Sequence, residues 1–473
     1  VKFSLTLGGL AVATTAVLIG QMNTDAVAAR GSSFAGCAPD VIVGDVQEII
    51  RHGEVGDITA YSIGTNSCNI GCDYLAWEAN NNSHPTIGGS AYRVLTLENG
   101  CTRIEQIGRS WLKHGFCALQ QTLCGSCSNS GGNGCPDRLG WVCSDPYTAS
   151  LNGQQSGLGR RSEVNPSTGF FVFPPAGGSY DNTTGRRMQI KTELLQAENA
   201  EFFVDGVYIH PDDAAACNGN NNASYRRVNK TGTNTLSFQN SFPTVPEKPA
   251  IFAWEASDPN VRITTIDISD CNERIHFGYS VCDNGDGTWT YIYTVYNMNL
   301  HHGIGGISIP FNGSSVPSDT DMHMLPYHSG EYYNENPTSD WTINADGSHL
   351  NFEVESYSQN PDANAILWQS LKTIQFSTTS PPTQGFVDLH FHKITGFEST
   401  VAMVPGDPMD PPTDCELADV NLDGTVDGTD LSLVLGFWGS CAQGCDADIN
   451  EDGTVDGIDL SFILGWWGCD SSG

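Results

Sequence analysis

The chain has 473 residues and a formal net charge of −33, with 52 Gly, 23 Pro and only 16% charged side chains. So acidic a surface repels polyphosphates and anionic lipids, which argues against nucleic acid and membrane surfaces as partners. Abundant Gly and Pro with few charges point to loop-rich β structure rather than helical bundles.

Lys2 precedes an uncharged stretch from Phe3 to Gly20, and Ala26-Val27-Ala28 offers a small-x-small cleavage position. The pattern predicts a secretory signal peptide over residues 1–28, hence a secreted, extracellular or cell-surface protein with no membrane attachment after cleavage. Sixteen cysteines agree with an oxidising compartment. Ten lie in 37–217, two in 218–404 and four beyond, and these even groups predict pairing inside each region. Cys124-Gly-Ser-Cys127 has no second CxxC at zinc spacing, so structural disulfides are expected there.

Residues 29–242 read as an irregular, disulfide-rich domain with strands near 91–97 and 201–208. Pro243, Pro246 and Pro249 mark a boundary, and residues 243–404 then alternate like strands. The β-rich run 288–296 follows the turn cluster 283–287, which predicts a hairpin. Further short runs at 306–311, 349–354, 371–376 and 385–391 predict an antiparallel β-sandwich.

Chemistry is sparse in this body. There is no GxSxG elbow, HExxH, P-loop or dinucleotide fingerprint. A glycosidase needs two carboxylates flanking the scissile bond, and the spacing of Glu193, Glu198, Glu201, Asp205, Glu353 and Glu355 singles out no pair. Catalytic residues stay unassigned.

Eight of the twelve histidines fall in the sandwich region. In His390-Phe-His392 the period of a strand projects both imidazoles from one face. With His301, His302 and Met403 the set loosely resembles copper monooxygenases, so a copper-dependent redox enzyme is one alternative; histidines on a carbohydrate-facing surface are the simpler expectation. The stretches 106–116, with Trp111 and His114, and 157–166 are similar to secreted bacterial proteins of unassigned activity.

Pro405-Gly-Asp-Pro-Met-Asp-Pro-Pro412 predicts an extended linker over 405–413. The remaining segment, 414–473, holds thirteen Asp and Glu and no Lys or Arg. It contains one twelve-residue loop twice, 29 positions apart: Asp419-Val-Asn421-Leu-Asp423-Gly424-Thr425-Val-Asp427-Gly-Thr-Asp430 and Asp448-Ile-Asn450-Glu-Asp452-Gly453-Thr454-Val-Asp456-Gly-Ile-Asp459. Positions 1, 3, 5, 9 and 12 carry side-chain oxygens, position 6 is Gly, and position 7, Thr425 or Thr454, offers its carbonyl. Such a loop suits a hard cation, so two Ca2+ sites are expected on these residues.

Leu431, Val434, Leu435 and Trp438, then Leu460, Ile463, Leu464 and Trp467, fall at i, i+3, i+4 and i+7. Each loop should therefore open an amphipathic helix, stopped near Gly439 and Gly468. Loop plus helix, twice, resembles the dockerin module of secreted bacterial polysaccharide-degrading systems. The resemblance implies two half-hands about a pseudo-twofold axis and a cohesin-like protein partner. In place of the small hydroxylated pair of many dockerins stand Gly428-Thr429 and Gly457-Ile458. Four cysteines allow three pairings; half-hands packed antiparallel would bring the ends together as Cys415–Cys469, leaving Cys441–Cys445.

The expected protein is mainly β: a disulfide-rich N-terminal domain, an antiparallel β-sandwich middle domain and a small α-helical dockerin-like module. The resemblance implies a body that binds or degrades extracellular polysaccharide. A non-catalytic cell-surface structural or binding protein is the other alternative.

Overall fold

The computed structural model describes residues 37–128, 134–269, 271–325, 340–406, 415, 418–440, 445, 447–449 and 454–469. The expected signal peptide, residues 407–413 of the linker and His328 lie outside the described residues.

The first large sheet begins with a long hairpin, Val41–Val55 against Ile58–Asn69, closed by a turn at Gly56 with φ +61. A positive φ at a tight turn carries little penalty when no Cβ is present. The sheet then continues through Met188–Lys191, Thr102–Arg109, Thr86–Thr96, Ala200–Ile209, Ala223–Thr231 and Thr235–Ser237. The expected strand near 91–97 overlaps Thr86–Thr96, and that near 201–208 falls within Ala200–Ile209. Ile58–Asn69 is buried along nearly its whole length, so both faces are covered and its sequence shows no alternation.

Two five-stranded antiparallel sheets follow. Arg262–Ser269, Glu273–Asp283, Trp289–Asn297, Ser370–Thr378 and Asp321–His323 make one. Thr342–Ala345, His349–Glu353, Ile304–Pro310, Pro382–Phe391 and Phe397–Pro405 make the other. The expected hairpin joins Glu273–Asp283 to Trp289–Asn297, with Asp283 opposite Trp289. Phe277, Tyr291, Tyr293 and Phe376 of the first sheet pack in one core with Ile307, Phe352, Leu389 and Val404 of the second. Each such side chain removed from water contributes roughly 1.5–3 kcal/mol.

The cysteine pairing departs from expectation. Cys68–Cys124, Cys117–Cys135 and Cys127–Cys143 stay within the first region, but Cys101–Cys282 and Cys217–Cys271 join it to the sandwich. Even counts survive when each region gives up two cysteines, so parity does not fix partners. Tyr92, Ile104 and Phe203 share a hydrophobic cluster with Trp254, Tyr296 and Trp368, which explains why bridges cross there. Neither Cys124 nor Cys127 pairs with the other, in keeping with a structural role.

In the C-terminal segment the helices are Gly428–Gly436 and Gly457–Gly465. Phe462 of the second stacks on Phe386 of the sandwich with ring centroids 5.5 Å apart. No helix among the described residues is long and apolar enough to cross a membrane.

Candidate functional site

The acidic repeat folds as a near-symmetric pair. Ala418 and Ala447, Val426 and Val455, and Val434 and Ile463 are equivalent residues of the two repeats, and together with Cys415 they form the module's buried core. Gly439 and Ser440, after the first helix, pair with Val455 and Thr454 of the second loop. The counterpart also exists: Val426 N–H donates to the Cys469 carbonyl at 3.0 Å, and Gly468 N–H to the Val426 carbonyl at 2.8 Å. Cys415–Cys469 closes the ends. Cys445 is disulfide-bonded, and Cys441 lies outside the described residues.

Loop carboxylates organise the backbone. In the first loop Asp419 accepts from Asp423 N–H at 3.0 Å and Gly424 N–H at 2.8 Å. Gly424 sits at φ +96, the bend that position 6 requires. Asp423 accepts from Thr425 N–H at 3.1 Å, and Asn421 Oδ1 accepts from Asp423 N–H at 2.8 Å. Positions 9 and 12 form a capping box: Asp427 accepts from Thr429 N–H at 2.7 Å, and Asp430 from Asp427 N–H at 2.8 Å. Asp456 and Asp459 repeat that box at 2.7 and 2.8 Å. Asp448 and Thr454 are described, whereas Asn450 and Asp452 lie outside the described residues.

Among the described residues no three His, Cys, Asp or Glu side chains converge as a metal-holding group. In the first loop the carboxylates face loop amides instead. The donor chemistry nonetheless fits a hard cation. Every donor is oxygen, Asp430 and Asp459 are fully buried, and residues 414–473 contain no Lys or Arg to offset them.

The helices are shorter than the apolar spacing suggests. Val434 and Ile463 point inward, while Leu435 and Leu464 are 53% and 57% exposed. Trp438 and Trp467 stand past the helix ends and are 52% and 51% exposed. One stripe of the expected amphipathic face thus lies outside the module's core.

The histidines of the sandwich do not form the copper set. His301 and His302 lie 6.1 Å apart by ring centroid, and among the described residues no group of three His, Cys, Asp or Glu forms with them or with His390 and His392. Met403 is placed on the strand Phe397–Pro405, where its carbonyl accepts from Tyr293. Two dipeptide-level matches set no distance between distant strands.

The period-2 expectation for His390 and His392 does hold: both line one open cleft of about 440 Å³ on the outer face of the second sheet. Glu353, one of the carboxylates considered above, lines it too, as do Tyr357 and Lys393, whose sequence positions gave no signal. Gly305 and Gly306 form its floor, where an added Cβ would meet His392 Nδ1 at 3.1 Å or His390 Cβ at 3.2 Å. Burial lowers the His392 pKa to about 4, aided by the charges of Lys393 and Lys372. Burial also lowers Lys393.

Three of the other carboxylates considered for hydrolysis are buried or paired. Asp205 is fully buried and raised to about 7 by that burial, Glu201 pairs with Arg227 at 2.7 Å, and Glu355 accepts from Asn360 at 2.7 Å. Among the described residues Glu353 is the one carboxylate lining the cleft. His114 lies inside the fold beside Phe171 and Phe173, its Nδ1 2.9 Å from Nε2 of His84, whose ring meets Phe116.

A paired loop-and-helix module with acidic loops defines a class of calcium-dependent docking modules. The family model for the dockerin type I domain matches residues 417–464, and the chain carries a C-terminal dockerin module. Dockerin domains bind calcium and cohesins. No curated protein matches the chain. Among solved structures, an exo-β-N-acetylglucosaminidase from Vibrio harveyi gives a TM-score of 0.15 at 11% identity over 33% of this chain and 19% of that one. A serine-rich repeat adhesion glycoprotein from Streptococcus agalactiae gives 0.18 at 7% identity over 72% and 88%. An exo-chitosanase from Amycolatopsis orientalis gives 0.15 at 9% identity over 72% and 25%. The chain thus spans about a fifth of the first of these, and at such scores the likenesses carry no argument about fold or activity.

Proposed function

We propose that the protein is an exported component that docks through residues 414–473 onto a cohesin-like partner and presents a polysaccharide-binding body. The observation that carries docking is the pair of exposed apolar positions repeated by the duplication, Leu435 with Leu464 and Trp438 with Trp467. Large apolar side chains displayed on an acidic, soluble module mark a surface that a partner covers.

Each loop holds one Ca2+. Asp419, Asn421, Asp423, Asp427 and Asp430 supply side-chain oxygens in the first and Asp448, Asn450, Asp452, Asp456 and Asp459 in the second, with the carbonyls of Thr425 and Thr454. The ion offsets carboxylate repulsion that no basic residue relieves, so calcium and docking are linked.

For the body we read binding: among the described residues Glu353 is the one carboxylate lining the cleft, where a glycosidase uses two. The test is titration of the full chain against a panel of purified cohesins. At least one should bind in calcium, release in chelator, and bind weakly to a variant carrying Trp438→Ala with Trp467→Ala. Absence of calcium-dependent binding across the panel would sink the docking assignment.

A further inference from the structure

We infer that the cleft bordered by Tyr357, His390, His392 and Lys393 binds a neutral, hydroxyl-rich saccharide chain, an assignment that rests on the polysaccharide reading above. His392 is only 6% exposed, yet both its ring nitrogens are buried without a hydrogen-bond partner. Leaving a buried donor or acceptor unmade costs on the order of 1–3 kcal/mol, so such a group at a cleft wall points to a ligand.

The neighbouring imidazole is fixed by a relay. Asn351 Nδ2 donates to Asp346 at 2.9 Å, and Ser308 Oγ donates to Asn351 Oδ1 at 2.7 Å. With its proton spent, Ser308 accepts from His390 Nε2 at 3.0 Å. His390 Nδ1 is then an acceptor in the neutral ring. Lys393 adds donors and Glu353 acceptors to the same lining. Sugar hydroxyls both donate and accept, and this mixed set matches them.

Charge narrows the class further. An anionic ligand would meet Glu353 in the same cleft, and a cationic ligand would meet Lys393. Tyr357 is 40% exposed, its ring perpendicular to that of His392 with centroids 5.6 Å apart and with Lys393 Nζ 5.9 Å from its own centroid, and the exposed part of the ring offers an aromatic surface to the C–H face of a pyranose. The volume of about 440 Å³ lies within the usual range of ligand sites.

The experiment is affinity electrophoresis and calorimetry of the full chain with soluble β-glucan, xylan, galactomannan and starch as neutral probes, and polygalacturonate as the anionic one. At least one neutral polymer should bind, polygalacturonate should not, and Tyr357→Ala and His392→Phe should each weaken binding about tenfold or more. Tyr357→Ala, at an exposed position, decides alone if His392→Phe does not fold. Neutral binding that survives Tyr357→Ala overturns the cleft while leaving the polysaccharide reading intact. Binding of polygalacturonate in preference overturns the neutral class. No binding of any polymer by the wild type overturns the polysaccharide reading and the cleft with it.

Discussion

The sandwich and the C-terminal module carry equally regular apolar patterns and use them differently. In the sandwich, Phe277, Tyr291, Tyr293 and Phe376 alternate onto one face and are all fully buried beneath the opposing sheet. In the module, residues at helical spacing divide: Val434 and Ile463 are buried, while Leu435 and Leu464 stay largely in solvent. Periodicity identifies a face; whether that face is covered depends on how much protein lies opposite. Two nine-residue helices and their loops cover one stripe each, and a small module of this kind needs metal and a disulfide to hold even that core.

The sharpest way to break this contrast is to remove calcium from the full chain. Chelation should release the module, seen as rapid proteolysis within residues 414–473, while the disulfide-braced body resists. Asp430→Ala combined with Asp459→Ala should reproduce the effect, because both carboxylates are fully buried and close the capping boxes. Equal protease resistance with and without calcium would remove the metal's structural role.

Within the body the corresponding blow is a cavity. Phe376→Ala should destabilise the sandwich by about 3–5 kcal/mol, measured by denaturant titration, because the ring is wholly buried against Tyr291, Tyr293 and Phe311. A loss below about 1 kcal/mol would mean that the two sheets do not share one core.

Acid should weaken the body more gently. Burial lowers His84 to about 4 against the Glu78 carbonyl, with the charge of His210 adding, and burial with His84 and Lys113 lowers His114 to about 3. An unfolded histidine titrates near 6.5, so between that value and the native one the unfolded chain binds protons that the native chain refuses. The contribution is fully present above about pH 6.5 and is lost as pH falls toward 4 and below. Melting temperature against pH should show the decline, and His84→Asn should flatten it only in part, since His276 is buried and lowered to about 3 as well.

What was legible in the sequence follows the same physics. The duplicated loops were legible because their ligand chemistry fixes residue types at fixed local spacing, and the strands of the second half because β-branched and aromatic runs stand between Gly, Pro, Asn and Ser turns, even where, as in Trp289–Asn297, both faces are buried. The hairpin Val41–Val55 with Ile58–Asn69 escaped, since strands interrupted by register shifts or buried on both faces carry no alternation. Cys101–Cys282 and the meeting of Tyr357 with His392 depend on contacts between distant segments, about which local spacing is silent.

The smallest effect on stability should accompany the largest on docking. Leu435→Ala with Leu464→Ala removes apolar surface already mostly in water, so the loss of transfer free energy is slight and the midpoint of calcium-loaded unfolding should move by less than about 0.5 kcal/mol. The control, Val434→Ala with Ile463→Ala, hollows the shared core and should cost about 2 kcal/mol or more. If the exposed stripe meets a cohesin, the first variant should lose affinity at unchanged stability, because each leucine would forfeit burial that exists only in the complex. Should the exposed leucines instead destabilise the isolated protein as much as the buried pair, the stripe belongs to an intramolecular contact, and the division between the two regions fails.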